Sequence, residues 1–362
     1  MNRNTNLQPE IFYCSASVDM DSFDRLCKGN PSLVKIDTLS EQKHELNLVE
    51  NPNLVSHEAL HKPELPFIEK TEGVWAYFPW KNSAVRILEK EQYEKLRLSR
   101  NKNLITFEEQ KILQEKTIGV VGLNVGNPGA VCLALEGIGN SMKLADFDPL
   151  SVSNLNRFRA GLPDIGINKA YISARQMYEV NPYLSIKVFD KGVTTENLDS
   201  FLDAPKIDLL IEEMDNLKFK IKIREKARKL GIPVIMVTGN SEDVIIDVER
   251  YDLDDKLDIL SGYLKEEVIQ RIFAVESGKG TFRERIDLLQ DFMGSEYLDE
   301  RLNESFTKVG DTLISVPQLA ESSFLRGAVI THFAKKILLQ EDIKSGRYEI
   351  LLRGTPVARK HD

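Results

Sequence analysis

Residues 118–129 read IGVVGLNVGNPG, an apolar run followed at once by glycines. The run Ile118–Val121 predicts a buried strand, and the glycines predict a turn that leads into a helix near Ala130–Glu136. Glycine lets backbone N–H groups approach phosphates, and the helix that follows directs its positive end toward them, so this order is typical of a nucleotide cradle. The candidate phosphate-binding residues of the turn are Gly122, Asn124 and Gly126.

The same segment is a poor match to the dinucleotide fingerprint GxGxxG. Asn124 and Val125 stand where that pattern has glycine. A tight turn needed only for packing therefore stays an open alternative.

Strands and helices alternate after this turn. Apolar runs predict strands at 142–145, 184–189, 207–211 and 233–237, and amphipathic patterns predict helices at 168–180 and 217–230. This alternation predicts an α/β fold, with a Rossmann-like, mostly parallel sheet and helices on both of its faces.

The flanking regions carry weaker patterns. Before the sheet, residues 61–66 (HKPELP) suit an extended linker, residues 84–100 show helical periodicity, and Thr106 begins a capping box with Glu109. The aromatic run WAYFPW at 75–80 favours a packed strand or an interface over a ligand platform.

After residue 240 we expect a strand at 244–248, a mainly helical part with a helix at 317–339, and a last strand at 348–352.

Composition narrows the class of protein. The chain has 362 residues, of which 42% are hydrophobic and 29% charged, and its net charge is −8. These values are those of a globular protein, and they disfavour a general nucleic-acid or anionic-membrane surface. No stretch reaches the roughly 18 to 20 apolar residues of a membrane span, and the start lacks signal-peptide order, so we expect a cytoplasmic protein.

The cysteines and histidines give no metal pattern. Cys14, Cys27 and Cys132 are the only cysteines and form no CxxC pair, and the five histidines show no HExxH spacing. We therefore expect neither a disulfide framework nor zinc. Cys132 is expected to be a small buried thiol.

Acidic and basic residues follow the strand that ends near Asp146. Residues 146–157 read DFDPLSVSNLNR, residues 166–170 read GINKA, and the strand at 207–211 leads into EEMDN at 212–216. This order resembles the DxDxVxxSNLxRQ, GxxKA and DN motifs of the ThiF, MoeB and HesA group of the ubiquitin-activating enzyme superfamily. Upstream, LRLSRN at 96–101 resembles the family's RYxRQ segment.

The resemblance implies a role for each matching residue. Asp146 would hold the ribose of ATP, Asp215 would hold Mg²⁺, and Arg100 would reach the γ-phosphate of a neighbouring protomer, which implies a homodimer. The residues implied to bind the triphosphate are Asn154, Arg157 and Lys169, and Asp148 is a further cofactor-binding candidate. Attack of a carboxylate on an α-phosphate brings two anions together, so a metal and concentrated positive charge suit it.

The implied function is ATP-dependent adenylylation of a carboxylate with release of pyrophosphate. Candidate substrates are a peptide or small-protein C-terminus or a small acid. Three alternatives stay open: Arg157 and Lys169 are only solvated surface groups, the chain is a nucleotide-binding scaffold without turnover, or it is an NAD-dependent Rossmann oxidoreductase.

The sequence departs from the family pattern at several positions. The glycine loop is shorter than GxGGxG, and Asn101, Phe158 and Lys220 replace the usual glutamine, glutamine and arginine. No cysteine follows Cys132, so neither a thioester cysteine nor zinc-binding CxxC pairs are expected.

The GLNVG loop, WAYFPW and VERYD at 248–252 resemble a bacterial subgroup whose longer members carry a nitroreductase-like domain. That resemblance implies a flavoenzyme partner acting in trans. We expect three parts: an N-terminal region at 1–92 for substrate or partner binding, an adenylation domain at 93–250, and a mainly helical part at 251–362 that completes the substrate site and the dimer.

Overall fold

A computed structural model of the chain describes residues 7–58, 65–275 and 280–353. Most of the linker predicted at 61–66 lies outside these residues. The first elements in chain order are β1 (Glu10–Tyr13), α1 (Ser17–Gly29), β2 (Val34–Asp37), α2 (Leu39–Glu50), α3 (Val55–Glu58), β3 (Val74–Phe78), β4 (Ser83–Ile87), α4 (Lys90–Arg97) and α5 (Phe107–Gln114).

The remaining elements carry the predicted alternation of strands and helices. They are β5 (Thr117–Val121), α6 (Leu123–Glu136), β6 (Ser141–Ala145), α7 (Lys169–Val180), β7 (Ser185–Phe189), α8 (Leu198–Asp203), β8 (Leu209–Glu212), α9 (Leu217–Leu230), β9 (Val234–Asn240), β10 (Asp243–Glu249), α10 (Glu266–Ala274), α11 (Phe282–Met293), α12 (Glu300–Lys308), α13 (Ala320–Leu338) and β11 (Gly346–Ile350).

The described chain divides into two compact units. The first extends to Lys111 and includes Ala174–Leu184, and the second comprises Ile112–Ser173 and the residues from Ser185 onward. In the part of the chain that the structure describes, no helix is long and apolar enough to cross a membrane.

The first unit contains a four-stranded sheet of order β1-β3-β4-β2 that the sequence did not predict. Strands β2 and β4 are parallel, and the other pairs are antiparallel. Strand β3 confirms the expected packed aromatic strand, because the ring of Trp75 stacks on Phe23 at a centroid distance of 4.9 Å.

The helix predicted across 84–100 is wrong in its first part. Residues 83–87 form strand β4, and only Lys90–Arg97 are α-helical. Asn82 has a φ of 48°, which closes the turn between β3 and β4 and pairs the two strands. The periodicity of a short apolar run does not distinguish a helix from a strand. Pairing with β3 decides that these residues form a strand.

The second unit contains a seven-stranded sheet of order β11-β10-β9-β8-β5-β6-β7. Strands β5 to β9 are parallel, and β10 and β11 add an antiparallel edge. The predicted Rossmann-like α/β class is confirmed. Strand β8 is buried throughout, as its apolar sequence requires.

Helix α6 begins at Leu123, seven residues before the predicted start near Ala130, and includes Pro128. A single residue, Gly122, makes the turn, and the later glycines serve packing. A Cβ on Gly129 would lie 2.8 Å from Ile330 of α13, and a Cβ on Gly327 of α13 would lie 2.9 Å from the carbonyl oxygen of Pro128. The two helices approach this closely because glycine stands on both sides.

Candidate functional site

A cavity of about 660 Å³ lies in the second unit, where strands β5, β6 and β8 end. Its volume falls in the range of small-molecule sites, and this edge is where open α/β sheets bind ligands. The polar and glycine residues that line it include Gly122, Asn124, Asp146, Asp148, Glu213 and Asp215.

The turn at Gly122 requires glycine. Its φ is 82°, and a Cβ there would lie 2.2 Å from the carbonyl oxygen of Glu213. Helix α6 starts at the next residue, so its unpaired N–H groups begin at the cavity wall. Asn124, in its first turn, has a buried Oδ1 atom without a hydrogen-bond partner among the described residues. This acceptor suits a donor group of a ligand such as a hydroxyl, whereas the N–H groups of the helix N-terminus suit a phosphate.

Asp146 ties this turn to the end of β6. Its Oδ2 atom accepts a hydrogen bond from the Leu123 N–H at 2.6 Å, and Oδ1 accepts one from the Asp148 N–H at 2.8 Å. Burial raises the pKa of Asp146, although both N–H groups oppose the shift. Each carboxylate oxygen retains a further acceptor site, so a ribose hydroxyl can still bind.

Lys169 is the first residue of helix α7, and it forms an ion pair with Asp148, which lines the cavity. Lys169 Nζ lies 3.1 Å from Asp148 Oδ2, and the Lys169 N–H donates to the Asp148 carbonyl at 3.0 Å. The lysine side chain is 6% exposed and the aspartate side chain 46%. Surface solvation therefore does not describe Lys169: this is a buried cation whose partner faces a cavity.

Asn154 and Arg157 lie in the segment between β6 and α7, outside the cavity wall. Buried Asn154 accepts hydrogen bonds through Oδ1 from the N–H and hydroxyl of Ser151. Arg157 is half-buried and donates through Nη1 to the Ser153 carbonyl at 3.0 Å. Its buried Nε atom has no hydrogen-bond partner among the residues that the structure describes. Burial lowers the pKa of Arg157, and the charge of Asp215 opposes this shift.

Asp215 and Glu213 follow strand β8 into the cavity. Asp215 is exposed there, yet the surrounding protein displaces enough water to raise its pKa, against the charges of Lys220 and Lys169. Glu213 is 7% exposed and accepts a hydrogen bond from the Val237 N–H at 2.7 Å. Burial raises the pKa of Glu213 to about 8. Sequence reasoning missed Glu213, although a second acid after a buried strand was a visible signal.

Next to Glu213 lies a set of four buried charged residues, the buried ion cluster: Glu212, Lys220, Arg224 and Glu249. Lys220 Nζ lies 3.1 Å from both carboxylate oxygens of Glu212, and Arg224 joins Glu212 to Glu249, with Nε 2.7 Å from Glu249 Oε2. Although burial opposes it, Lys220 and Arg224 lower the pKa of Glu212. Lys220, which replaces the family arginine, thus belongs to a closed ionic contact outside the cavity wall.

Arg100 and Gly126 do not line the cavity. Arg100 is exposed in a short turn at Ser99–Asn101 of the first unit, so its role across a dimer stays a prediction. Gly126 lies inside α6, where a Cβ would be 2.7 Å from Val120.

Among the described residues, no group of three or more His, Cys, Asp or Glu could hold a metal ion. All three cysteines are free. Cys132 was expected to be buried, but it is only half-buried.

Several known proteins are similar to this chain in sequence or in fold. The ThiF family matches residues 98–241. An uncharacterized protein of Mycobacterium tuberculosis is 34% identical over 332 residues, which are 92% of this chain and 44% of that protein. The tRNA threonylcarbamoyladenosine dehydratase of Escherichia coli is 28% identical over 174 residues, which are 47% of this chain and 64% of the enzyme.

The chain thus spans less than two thirds of either relative. The solved structure of PaaA has a similar fold, with a TM-score of 0.50 and 16% identity over 96% of this chain and 97% of PaaA. The family match covers the strands, the turn and the acidic motifs that build the cavity, and residues 98–241 are therefore a ThiF-family segment of this chain.

Proposed function

We propose that the chain is an ATP-dependent adenylyltransferase that activates a carboxylate as an acyl-adenylate. One observation carries the proposal: the N-terminus of α6, the Lys169–Asp148 pair and Asp215 are brought to one cavity at the carboxyl ends of the strands. This set combines donors for phosphate with a carboxylate for a metal ion, which is what an attack of one anion on another needs.

Each group has a distinct task in this proposal. N–H groups in the first turn of α6 other than that of Leu123, which Asp146 holds, and the Lys169 ammonium bind phosphate oxygens, and Asp146 accepts from the ribose hydroxyls. Asn154 and Arg157 supply further donors, and the charge of Asp215 acts on Arg157. Mg²⁺ held by Asp215 would neutralise phosphate charge. The substrate oxygen bonds to the α-phosphorus while the bond to the pyrophosphate oxygen breaks, and pyrophosphate leaves.

The partners belong to the same proposal. The substrate is a peptide or small-protein C-terminus or a small acid, and residues 1–92 and 251–362 contribute to its binding. The acyl-adenylate meets its acceptor without a thioester cysteine or zinc. A homodimer shares sites through Arg100, and a nitroreductase-like flavoenzyme partner is proposed on the sequence resemblance alone.

Two measurements test this function. Calorimetry should show binding of ATP with Mg²⁺ and no comparable binding of NAD. ATP–pyrophosphate exchange should then depend on an added carboxylate from a panel of peptides and small acids. Binding of NAD in place of ATP would favour an oxidoreductase, and tight ATP binding without exchange for any carboxylate would favour a scaffold without turnover.

A further inference from the structure

A second, smaller cavity of about 140 Å³ lies beyond the end of β9. The β9–β10 turn, helix α12 and the start of α13 surround it. It shares no lining residue with the large cavity. Its wall includes Gly239, Ser241, Arg301, Gln318, Ser322 and Arg326.

Arg326 is a buried cation that lacks a close anionic partner. The residue is only 2% exposed, and its buried Nε atom has no hydrogen-bond partner among the described residues. Its guanidinium makes one long hydrogen bond within the same residues, from Nη2 to Gln318 Oε1 at 3.5 Å. A buried charge is costly unless it is paired and hydrogen-bonded.

No ion pair joins Arg326 to a carboxylate in the part of the chain that the structure describes. The charge of Glu213 acts on Arg326 from beyond ion-pair distance. Arg157 and Arg159 add positive charge. Burial, followed by these two arginines, lowers the pKa of Arg326 to about 10, which still leaves it charged at neutral pH.

The wall of the cavity leaves space in front of this guanidinium. Gly239 belongs to its wall, and a Cβ there would lie 2.8 Å from Ser322 Oγ and 3.4 Å from Arg326 Nη1, so a methyl group at position 239 would push against both side chains and narrow the cavity beside the guanidinium. Arg301 is exposed on the same wall and forms no ion pair with any residue the structure describes. Two arginines and hydroxyl groups thus face a space of anion size.

We propose that this cavity binds a carboxylate of the substrate, and hence that the adenylylated substrate carries a second carboxylate besides the one that reacts. The inference rests on the proposed adenylyltransferase function. A water molecule occupies about 30 Å³ in the liquid, so the cavity holds a carboxylate with one or two methylene groups and no nucleotide. The planar guanidinium donates to a carboxylate in bidentate fashion. Because the two cavities share no wall residue, the bound group is distinct from the one that attacks ATP.

Binding to the cavity can be tested on the full chain without ATP. Saturation-transfer NMR should show binding of propionate and not of neutral propionamide. Gly239→Ala, which crowds Ser322 and Arg326 and keeps every charge, and Arg301→Gln, which is exposed, should each weaken propionate binding by at least ~10-fold, the scale of one charge-assisted hydrogen bond. Arg326→Gln should abolish it, provided that circular dichroism shows a folded protein. Equal binding of propionate in the wild type and the Gly239→Ala variant would overturn the proposal.

The probes and the nucleotide separate the remaining outcomes. Inorganic phosphate that binds with the same dependence on Gly239, while propionate does not bind, would identify a phosphate subsite and overturn the inference. In ATP–pyrophosphate exchange, peptides ending in Asp or Glu should be preferred to those ending in Asn or Gln, and Gly239→Ala should remove this preference while leaving the affinity for ATP unchanged. Loss of ATP binding in the wild type would instead contradict the proposed function and leave the propionate result to stand by itself.

Discussion

The buried ion cluster and the large cavity begin at the same strand end and treat charge in opposite ways. In the cluster, Arg224 lies between Glu212 and Glu249, and all three side chains are fully or almost fully buried. In the cavity, Asp148 is 46% exposed and Asp215 is exposed. The buried ion pairs of Arg224 fix helix α9 to the sheet. The exposed carboxylates of the cavity can instead interact with a ligand. Both regions combine carboxylates with basic side chains, so burial and pairing make the difference.

Removing the central charge of the cluster should have the largest effect. Arg224→Met leaves buried Glu249 without its cation and Glu212 with Lys220 alone, and we expect the free energy of unfolding to fall by about 3–5 kcal/mol in urea denaturation. The matched control is Lys226→Met on the same helix, whose partner Asp199 is 78% exposed. That change should cost at most about 1 kcal/mol. Equal losses in the two variants would show that the cluster does not hold the fold.

The open cavity should respond in activity and not in stability. Asp215→Asn and Lys169→Ala should each lower the rate of ATP–pyrophosphate exchange by at least ~10²-fold, the scale of one lost electrostatic contact in the transition state. The melting temperature of Asp215→Asn should stay close to that of the wild type, because the side chain is exposed. Asp255→Asn, an exposed acid outside the cavity wall, is the control. Wild-type exchange in Asp215→Asn would remove the metal assignment.

The comparison also predicts that the cavity, unlike the cluster, is completed by a second chain. If Arg100 acts across a dimer, mixing inactive Arg100→Ala and Asp215→Ala chains under subunit exchange creates one site that lacks both residues and one that lacks neither. Part of the activity should therefore return. No recovery, or a fully active monomer in sedimentation, would contradict a shared site.

Glu213 stands between the two regions and should give a pH dependence. Its pKa rises from the ordinary 4.5 to about 8 in the folded chain, so the folded state binds a proton that the unfolded state has lost. Stability relative to Glu213→Gln should therefore fall as pH rises from about 4.5 to about 8. Urea denaturation of both proteins at about pH 5 and about pH 8 measures this. Parallel pH curves would mean that Glu213 is ionised when folded.

The smallest effect is expected for the thiols, which neither region uses. A variant with Cys14→Ala, Cys27→Ser and Cys132→Ala should keep its exchange activity. A substrate-linked species sensitive to thiol reagents, seen by intact mass on the wild type, would contradict this expectation.

The sequence predicted the strands of the large sheet because continuous apolar runs such as 234–237 have few other structures open to them. It missed the true start of α6, since glycine and proline indicate a loop unless the packing partner is known, and that partner, α13, lies about two hundred residues away. It also missed the four-stranded sheet, whose strand β2 is only four residues long and exposed at every position, so that its alternation of apolar and polar residues marks no buried face.

The site was predictable where order along the chain decides it and not where pairing does. Asp146, Asp148 and Asp215 follow strands and reach the cavity wall, as their positions suggested. Arg326 could not be found this way, because its interest lies in the lack of a close carboxylate partner among the described residues, and only the folded structure shows which residues surround it.

The contact of α6 with α13 links the beginning of the ThiF-family segment to residues far beyond its end. Gly129 and Gly327 are separated by nearly two hundred residues, and contacts of this kind form late because a long loop must close first. During synthesis, the side of α6 that α13 covers remains exposed until residues 320–338 have emerged. A fragment that ends near residue 250 would keep the matched motifs and lose the helix that covers them, so we expect it to aggregate where the longer chain folds.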